Sequence, residues 1–144
     1  MSATLDVNVL VYASDTSSPR HEAATRVLQQ FVAGPELGYL FWPVVLGYLR
    51  IITHPGILTH PLPPADAQRN VDALLTRPHI RSLGEEPDFW AVYRDLTKHD
   101  PVRGNLVPDA HIAALMRQHG VNTIWSSDRD FRRFPGLHVK DPYN

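Results

Sequence analysis

Three aspartates, Asp6, Asp109 and Asp128, occupy positions from which they could hold a divalent metal ion. Asp6 interrupts an apolar run at residues 4–13, and Asp128 follows another such run at residues 123–126. Carboxylates gathered at one site repel one another unless a cation neutralises them. All-oxygen ligation suits Mg²⁺ or Mn²⁺ rather than zinc. Such an ion activates water and stabilises in-line attack on phosphorus, so the chemistry indicated is hydrolysis of a phosphate ester.

Each aspartate also has an ordinary structural explanation. Asp6 or Asn8 could cap a helix that begins near residue 9, and Asp128 could serve in a turn. The helix macrodipole favours Asp109 in the first turn of its helix. However, Asp109 shares a helix face with apolar residues three, four and seven positions further on. We therefore expect its side chain to point towards the core, which a cap would not require.

The elements that must position these side chains are short strands alternating with amphipathic helices. We predict strands at residues 4–13 (passing into a helix), 39–42, 79–83, 123–126 and 137–140, and helices at 21–34, 43–54, 65–76, 88–99 and 108–119. This alternation predicts an α/β fold, a three-layer α/β/α sandwich around a mostly parallel sheet of four or five strands. In such sheets the functional site lies beyond the carboxyl ends of the strands. We expect Asp6, Asp109 and Asp128 to meet at that edge.

Composition limits the class of protein. A length of 144 residues predicts one domain over residues 1–144. The absence of cysteine excludes disulfides, thiolate zinc sites and cysteine nucleophiles. We expect no signal peptide and no membrane-spanning segment, hence a cytoplasmic protein.

The net charge of −1 is weak evidence against an extended nucleic-acid surface. The cluster Arg129, Arg132 and Arg133 could be a local phosphate-binding patch or ordinary surface.

Four segments resemble the VapC-type toxins, which are PIN-domain ribonucleases of bacterial toxin–antitoxin pairs. They are LDVNVLVYA (residues 5–13), LRIITHP (49–55), LVPDAHIAAL (106–115) and SSDRDFRRFPGL (126–137). The resemblance spans nearly the whole chain, and its most specific part is DAHIAAL followed nineteen residues later by DRDF. It implies a PIN-like fold, a toxin that cleaves RNA with Mg²⁺ (or Mn²⁺ as a substitute), dimerisation, and inhibition by a small cognate antitoxin.

The resemblance also implies roles for individual residues. Asp6, Asp109 and Asp128 match the acidic metal-binding and catalytic positions. Asn8, Ser126 and Asp130 match positions around that site, where Ser126 would support it and the role of Asp130 is less settled. From their clustered charge rather than from the resemblance, we predict that Arg129, Arg132 and Arg133 bind RNA through its phosphates.

Gly47 departs from the family pattern. The second helix of the family carries a glutamate before Leu-Arg, whereas this chain reads GYLR, and residues 43–54 contain no acidic residue. Gly47 could instead serve close helix packing. Two interpretations remain open: a metal-dependent endoribonuclease, attenuated by this change, or a PIN-fold module that binds RNA or antitoxin without efficient cleavage. A metal-dependent phosphatase is disfavoured because the first strand lacks a D-x-D motif.

Overall fold

A five-stranded parallel sheet forms the centre of the molecule in a computed structural model, which describes residues 2–144. The strands are β1 (Ala3–Leu5), β2 (Gly38–Phe41), β3 (Ile80–Leu83), β4 (Thr123–Trp125) and β5 (His138–Lys140). Their order across the sheet is β3-β2-β1-β4-β5, and every neighbouring pair is parallel. The prediction of a mostly parallel sheet of four or five strands is therefore confirmed, and the strand predicted at residues 137–140 is present as β5.

Helices cover the sheet in two groups. They are α1 (Val7–Ser14), α2 (His21–Ala33), α3 (Trp42–Ile52), α4 (Pro64–Leu75), α5 (Phe89–Thr97) and α6 (Leu106–His119), followed by a 3₁₀ helix at Arg129–Arg133. In one group α1 packs against α2 and α3, and α3 packs against α4; in the other α5 packs on α6, and α6 on the 3₁₀ helix. Because crossovers between parallel strands are right-handed, these two groups lie on opposite faces of the sheet.

The central strand β1 and helix α6 carry much of the buried core. Thr4 and Leu5 of β1 are fully buried, as expected for the middle strand of a parallel sheet. In α6 the run from Ile112 to Met116 is buried, so this helix is fixed firmly against the sheet. Gly120 ends α6 with a left-handed backbone, φ 70°, and its N–H bonds to the carbonyl of Met116. These contacts position the first turn of α6 at the carboxyl edge of the sheet.

Most predicted boundaries shift by one or two residues, and the end of the second strand differs for a clear physical reason. Trp42 was assigned to the end of the second strand, but it is the first residue of α3. Pro43 occupies the first turn of α3, where its missing N–H and fixed φ are tolerated, and the strand therefore ends at Phe41. As a result, α3 begins directly at the carboxyl edge of β2, the strand beside β1.

Candidate active site

Asp6 is fixed at the carboxyl end of β1 by three hydrogen bonds. Its backbone N–H donates to the Trp125 carbonyl (3.0 Å), which joins the ends of β1 and β4. One carboxylate oxygen accepts from the Val7 N–H (2.7 Å) and caps α1. The other accepts from the Ser126 hydroxyl (2.8 Å). Burial raises the pKa of Asp6, and these two donors to the carboxylate oppose that rise. Asp6 can therefore cap α1 and belong to the candidate site at once, because one carboxylate oxygen bonds to Val7 and the other faces Ser126.

Ser126 links Asp6 to Asp128. Its side chain is buried at 2% exposure, and its oxygen also accepts from the Asp128 N–H (2.9 Å). Asp128 in turn accepts from the Asp130 N–H (2.9 Å), which starts the 3₁₀ helix. One hydroxyl therefore sets the spacing between the carboxylate that follows β1 and the segment that follows β4.

Asp109 completes the cluster from the opposite side. It lies in the first turn of α6 without capping that helix, since the N-cap residue is Asn105. Burial, with the charges of Asp128 and Asp6 next in size, raises the pKa of Asp109 to about 7. The side chain thus points towards the other carboxylates, as the apolar spacing along its helix predicted.

Asp109, Asp128 and Asp130 approach one another most closely. One carboxylate oxygen from each lies within 4.8 Å of the others, a spacing that suits a shared cation. Asp6 is coupled to this trio by charge and through Ser126. The structure therefore brings together the three aspartates singled out on the sequence, and places Asp130 closer to two of them than its supporting role implied.

The cluster has the properties of a divalent-metal site. No arginine, lysine or histidine among residues 2–144 forms a salt bridge with Asp6, Asp109 or Asp128. Uncompensated carboxylates at one edge are unfavourable unless a cation neutralises them. Their donors are all oxygens, which suits Mg²⁺ or Mn²⁺. The residues present therefore fit the metal implied by the sequence resemblance.

Gly47 lies beside this site. A Cβ atom at Gly47 would stand 3.3 Å from Cγ2 of Val7, the residue that follows Asp6. α3, Trp42–Ile52, contains no acidic residue, so it contributes no carboxylate to the cluster. A side chain at position 47 would therefore start against Val7, the residue after Asp6, but the glycine leaves this position without one.

The remaining predicted residues differ in their surroundings. Asn8 is exposed in the first turn of α1. Arg133 forms two hydrogen bonds to Asp100, at 2.8 and 3.1 Å, and these bonds lower the pKa of Asp100. Arg129 and Arg132 are exposed and have no salt bridge to another described residue. Two of the three arginines are therefore available to a ligand, and the third is already paired.

Tyr143 was not identified from the sequence. Its hydroxyl is buried and has no hydrogen-bond partner within the described residues. Burial raises its pKa to about 12, and the charge of Asp6 adds to that rise, which places the phenol near the site. A lone tyrosine at the penultimate position of the sequence has no local pattern that would have revealed this position.

Comparison with known proteins identifies the family. The PIN domain model matches residues 3–137. A protein named Ribonuclease VapC48 from Mycobacterium tuberculosis is 54% identical over 146 aligned residues, covering 100% of this chain and 99% of the relative. The chain is a PIN-domain ribonuclease of the VapC family. Ribonuclease VapC43 from the same species is 34% identical, with 96% and 93% coverage.

Solved structures show the same fold at lower identity. The VapC20 toxin from Mycobacterium tuberculosis, described as cleaving the sarcin–ricin loop, superposes with a TM-score of 0.69 at 18% identity, covering 96% of this VapC protein and 99% of that chain. A FitAB complex bound to a DNA fragment gives 0.69 at 18% identity, with 99% and 96% coverage. The predicted PIN-like α/β/α fold is confirmed. Among residues 2–144, every helix is too short or too polar to cross a bilayer.

Proposed function

We propose that this VapC toxin is a Mg²⁺-dependent endoribonuclease, with Mn²⁺ as a possible substitute, whose metal is held by Asp6, Asp109 and Asp128. The observation that carries the proposal is the carboxylate cluster at one sheet edge, whose Asp6, Asp109 and Asp128 form no salt bridge with a basic side chain of residues 2–144. When bound there, a divalent cation offsets the charge of the phosphodiester and lowers the pKa of the attacking water. Asp130 is close enough to add a further oxygen.

The protein's own residues prepare this site in advance. Ser126 donates to Asp6 and accepts from the Asp128 backbone, so both segments keep their spacing before a ligand arrives. Val7 and α1 hold the second oxygen of Asp6. Such preorganisation means that little structure has to reorder during the reaction. Asp109 would act as a ligand in its ionised form, because a bound cation would favour the carboxylate over the protonated acid.

We further propose that Gly47 attenuates the nuclease. Position 47 adjoins Val7, the residue that follows Asp6, yet its glycine offers no oxygen to a metal or to water. Loss of a single group that stabilises the transition state commonly reduces the rate by a factor on the order of 10²–10³. The second candidate function rests on the same observation: a VapC fold that binds RNA or antitoxin while cleaving poorly.

Partners follow from the family. The structural neighbours include VapBC2 from Rickettsia felis and FitAB, both described as bound to DNA, and a toxin–antitoxin complex from Klebsiella pneumoniae. By analogy, we propose that this chain is inhibited by a small cognate antitoxin and assembles as a homodimer. We also propose that the protein acts in the cytoplasm, because a toxin that cleaves cellular RNA has to reach that RNA.

Metal titration tests the proposed site. Calorimetry with Mn²⁺ and Mg²⁺ would compare the natural protein with Asp109→Asn and with Asp72→Asn, an exposed aspartate on α4. We expect the natural protein and Asp72→Asn to bind the metal ion with the same affinity. Asp109→Asn should bind it at least about tenfold more weakly. Equal binding by all three proteins would show that the cluster does not hold the metal.

A further inference from the structure

Arg20 lies over two tyrosine rings near the candidate active site. Its guanidinium carbon is 4.6 Å from the centroid of the Tyr143 ring and 5.8 Å from that of Tyr12. The two rings meet edge to face, with centroids 6.0 Å apart and an interplanar angle of 70°. Both distances are within the range of cation–π attraction. Three residues, of which Tyr143 is distant in sequence from the other two, therefore form one unit, which we call the Arg20 cradle (Tyr12, Arg20 and Tyr143).

The chain brings Tyr143 to α1 across the edge where the carboxylates lie. The Ser126 N–H donates to the Lys140 carbonyl (2.9 Å) and holds the end of β5 beside β4. Asp141 then accepts from the Tyr143 N–H (2.9 Å) and turns the chain. Tyr12 lies six residues beyond Asp6 on α1, about 9 Å along the helix axis at 1.5 Å per residue. The Arg20 cradle is thus anchored to α1, which Asp6 caps, and to the segment after β5, whose end is held by Ser126.

The guanidinium keeps its hydrogen-bond donors free. Arg20 is exposed and forms no salt bridge with any carboxylate of the described residues. Its contacts with Tyr12 and Tyr143 use the ring faces rather than hydrogen bonds. An arginine stacked in this way has lost part of its side-chain freedom, and its N–H groups can engage an anion at little further entropic cost.

We propose that the Arg20 cradle binds a backbone phosphate of the RNA substrate next to the acidic cluster. Guanidinium groups match phosphate geometry through two parallel N–H···O bonds. The cradle lies in the layer of α1 and α2, whereas Arg129 and Arg132 lie in the layer of α6. RNA crossing the carboxyl edge would therefore meet positive charge on both faces of the sheet. This inference rests on the proposed site, since it supposes that RNA passes over that edge.

Equilibrium binding of a fluorescein-labelled RNA hairpin tests the proposal. Anisotropy would be measured in EDTA at several salt concentrations, with the probe checked on a gel for integrity afterwards. We expect Arg20→Leu to weaken binding by about 3- to 10-fold and to reduce the salt slope by about one. Arg26→Leu removes the same charge from an exposed position on the same helix and should leave both quantities unchanged.

Two further variants address the role of the rings and the possibility of misfolding. Arg20→Gln keeps a polar stem without the charge and should reproduce the effect of Arg20→Leu if the latter is unstable. Tyr143→Leu keeps the charge but removes one ring, so affinity should fall by about 2- to 3-fold with the salt slope preserved. If Arg20→Gln binds like Arg26→Leu, the proposal is wrong. RNA binding is measured in EDTA and therefore does not depend on the proposed metal. Cleavage that persists in EDTA would refute the metal mechanism, but the binding comparison between the Arg20 and Arg26 variants would still test the Arg20 cradle.

Discussion

Replacing Asp109 by asparagine should stabilise the metal-free protein above neutral pH. A pKa of about 7 means that the folded protein holds a proton that the unfolded chain, with a pKa near 3.8, has already released. Between these two values the folded state binds more protons, so its stability falls as the pH rises. Below pH 3.8 Asp109 is protonated in both the folded and the unfolded state, and it costs no stability. Above pH 7 it is ionised in both states, and the loss of folding stability is complete.

The expected size follows from the same two pKa values. A difference of about 3 in pKa corresponds to an upper limit of roughly 4 kcal/mol, at 1.36 kcal/mol per tenfold change in the proton equilibrium. Asp109 is only about half buried, and solvent screening reduces this limit to about 1–2 kcal/mol. The variant also loses a negative charge in the first turn of α6, which is worth about 0.3–1 kcal/mol. We therefore expect a net gain of about 1 kcal/mol at pH 8.

Thermal unfolding in EDTA at several pH values provides the assay. At pH 8 the Asp109→Asn variant should melt about 3 °C higher than the natural protein, and the gap should close as the pH falls towards 4. Asp72→Asn, on an exposed position of α4, should show no such gap. Added Mg²⁺ should stabilise only the proteins that retain Asp109. An Asp109→Asn variant that is less stable than the natural protein at every pH would refute the argument that repulsion and burial of the Asp109 carboxylate destabilise the metal-free fold. It would favour a purely structural role for Asp109 in α6.

Three further predictions concern the residues around the cluster. Gly47→Glu should raise metal affinity and toxicity to the host, and should speed RNA cleavage by a factor on the order of 10². The uncharged Gly47→Gln should change none of these. If Gly47→Glu cleaves no faster than Gly47→Gln, position 47 is not catalytic. Neutralising Arg129 and Arg132 together should weaken RNA binding across sequences and lower its salt dependence, and unchanged binding would identify ordinary surface. Ser126→Ala should lower the free energy of unfolding by about 1–3 kcal/mol, measured by denaturation, and should also weaken metal binding, measured by calorimetry. A loss of stability with unchanged metal binding would limit Ser126 to a structural role.

The convergence of the aspartates could be predicted because it depends on periodic features. Strand ends in a parallel sheet share one edge, so residues that follow β1 and β4 must be neighbours. The inward direction of Asp109 followed from the apolar spacing along α6. Asp130 was less predictable, since it stands in a five-residue 3₁₀ helix that is too short to show a period.

Contacts between distant segments could not be predicted from one sequence. Arg133 pairs with Asp100, 33 residues away, and nothing near either residue indicates that partner. The stacking of Arg20 on Tyr143 depends on the turn after β5, which only the folded chain defines. Such side-chain contacts determine which of several exposed arginines remain available to RNA, and they require the structure.

Metal dependence of RNA cleavage tests the central claim most directly. The purified protein would be treated with EDTA, assayed on a structured RNA, and then given an excess of Mg²⁺, Mn²⁺ or Ca²⁺, with Asp109→Asn as a parallel sample. We predict that EDTA stops cleavage, that Mg²⁺ or Mn²⁺ restores it, and that Asp109→Asn stays inactive with every ion while remaining folded. Cleavage that persists in EDTA, or that survives in Asp109→Asn, would contradict the assignment of the carboxylate cluster as the catalytic metal site.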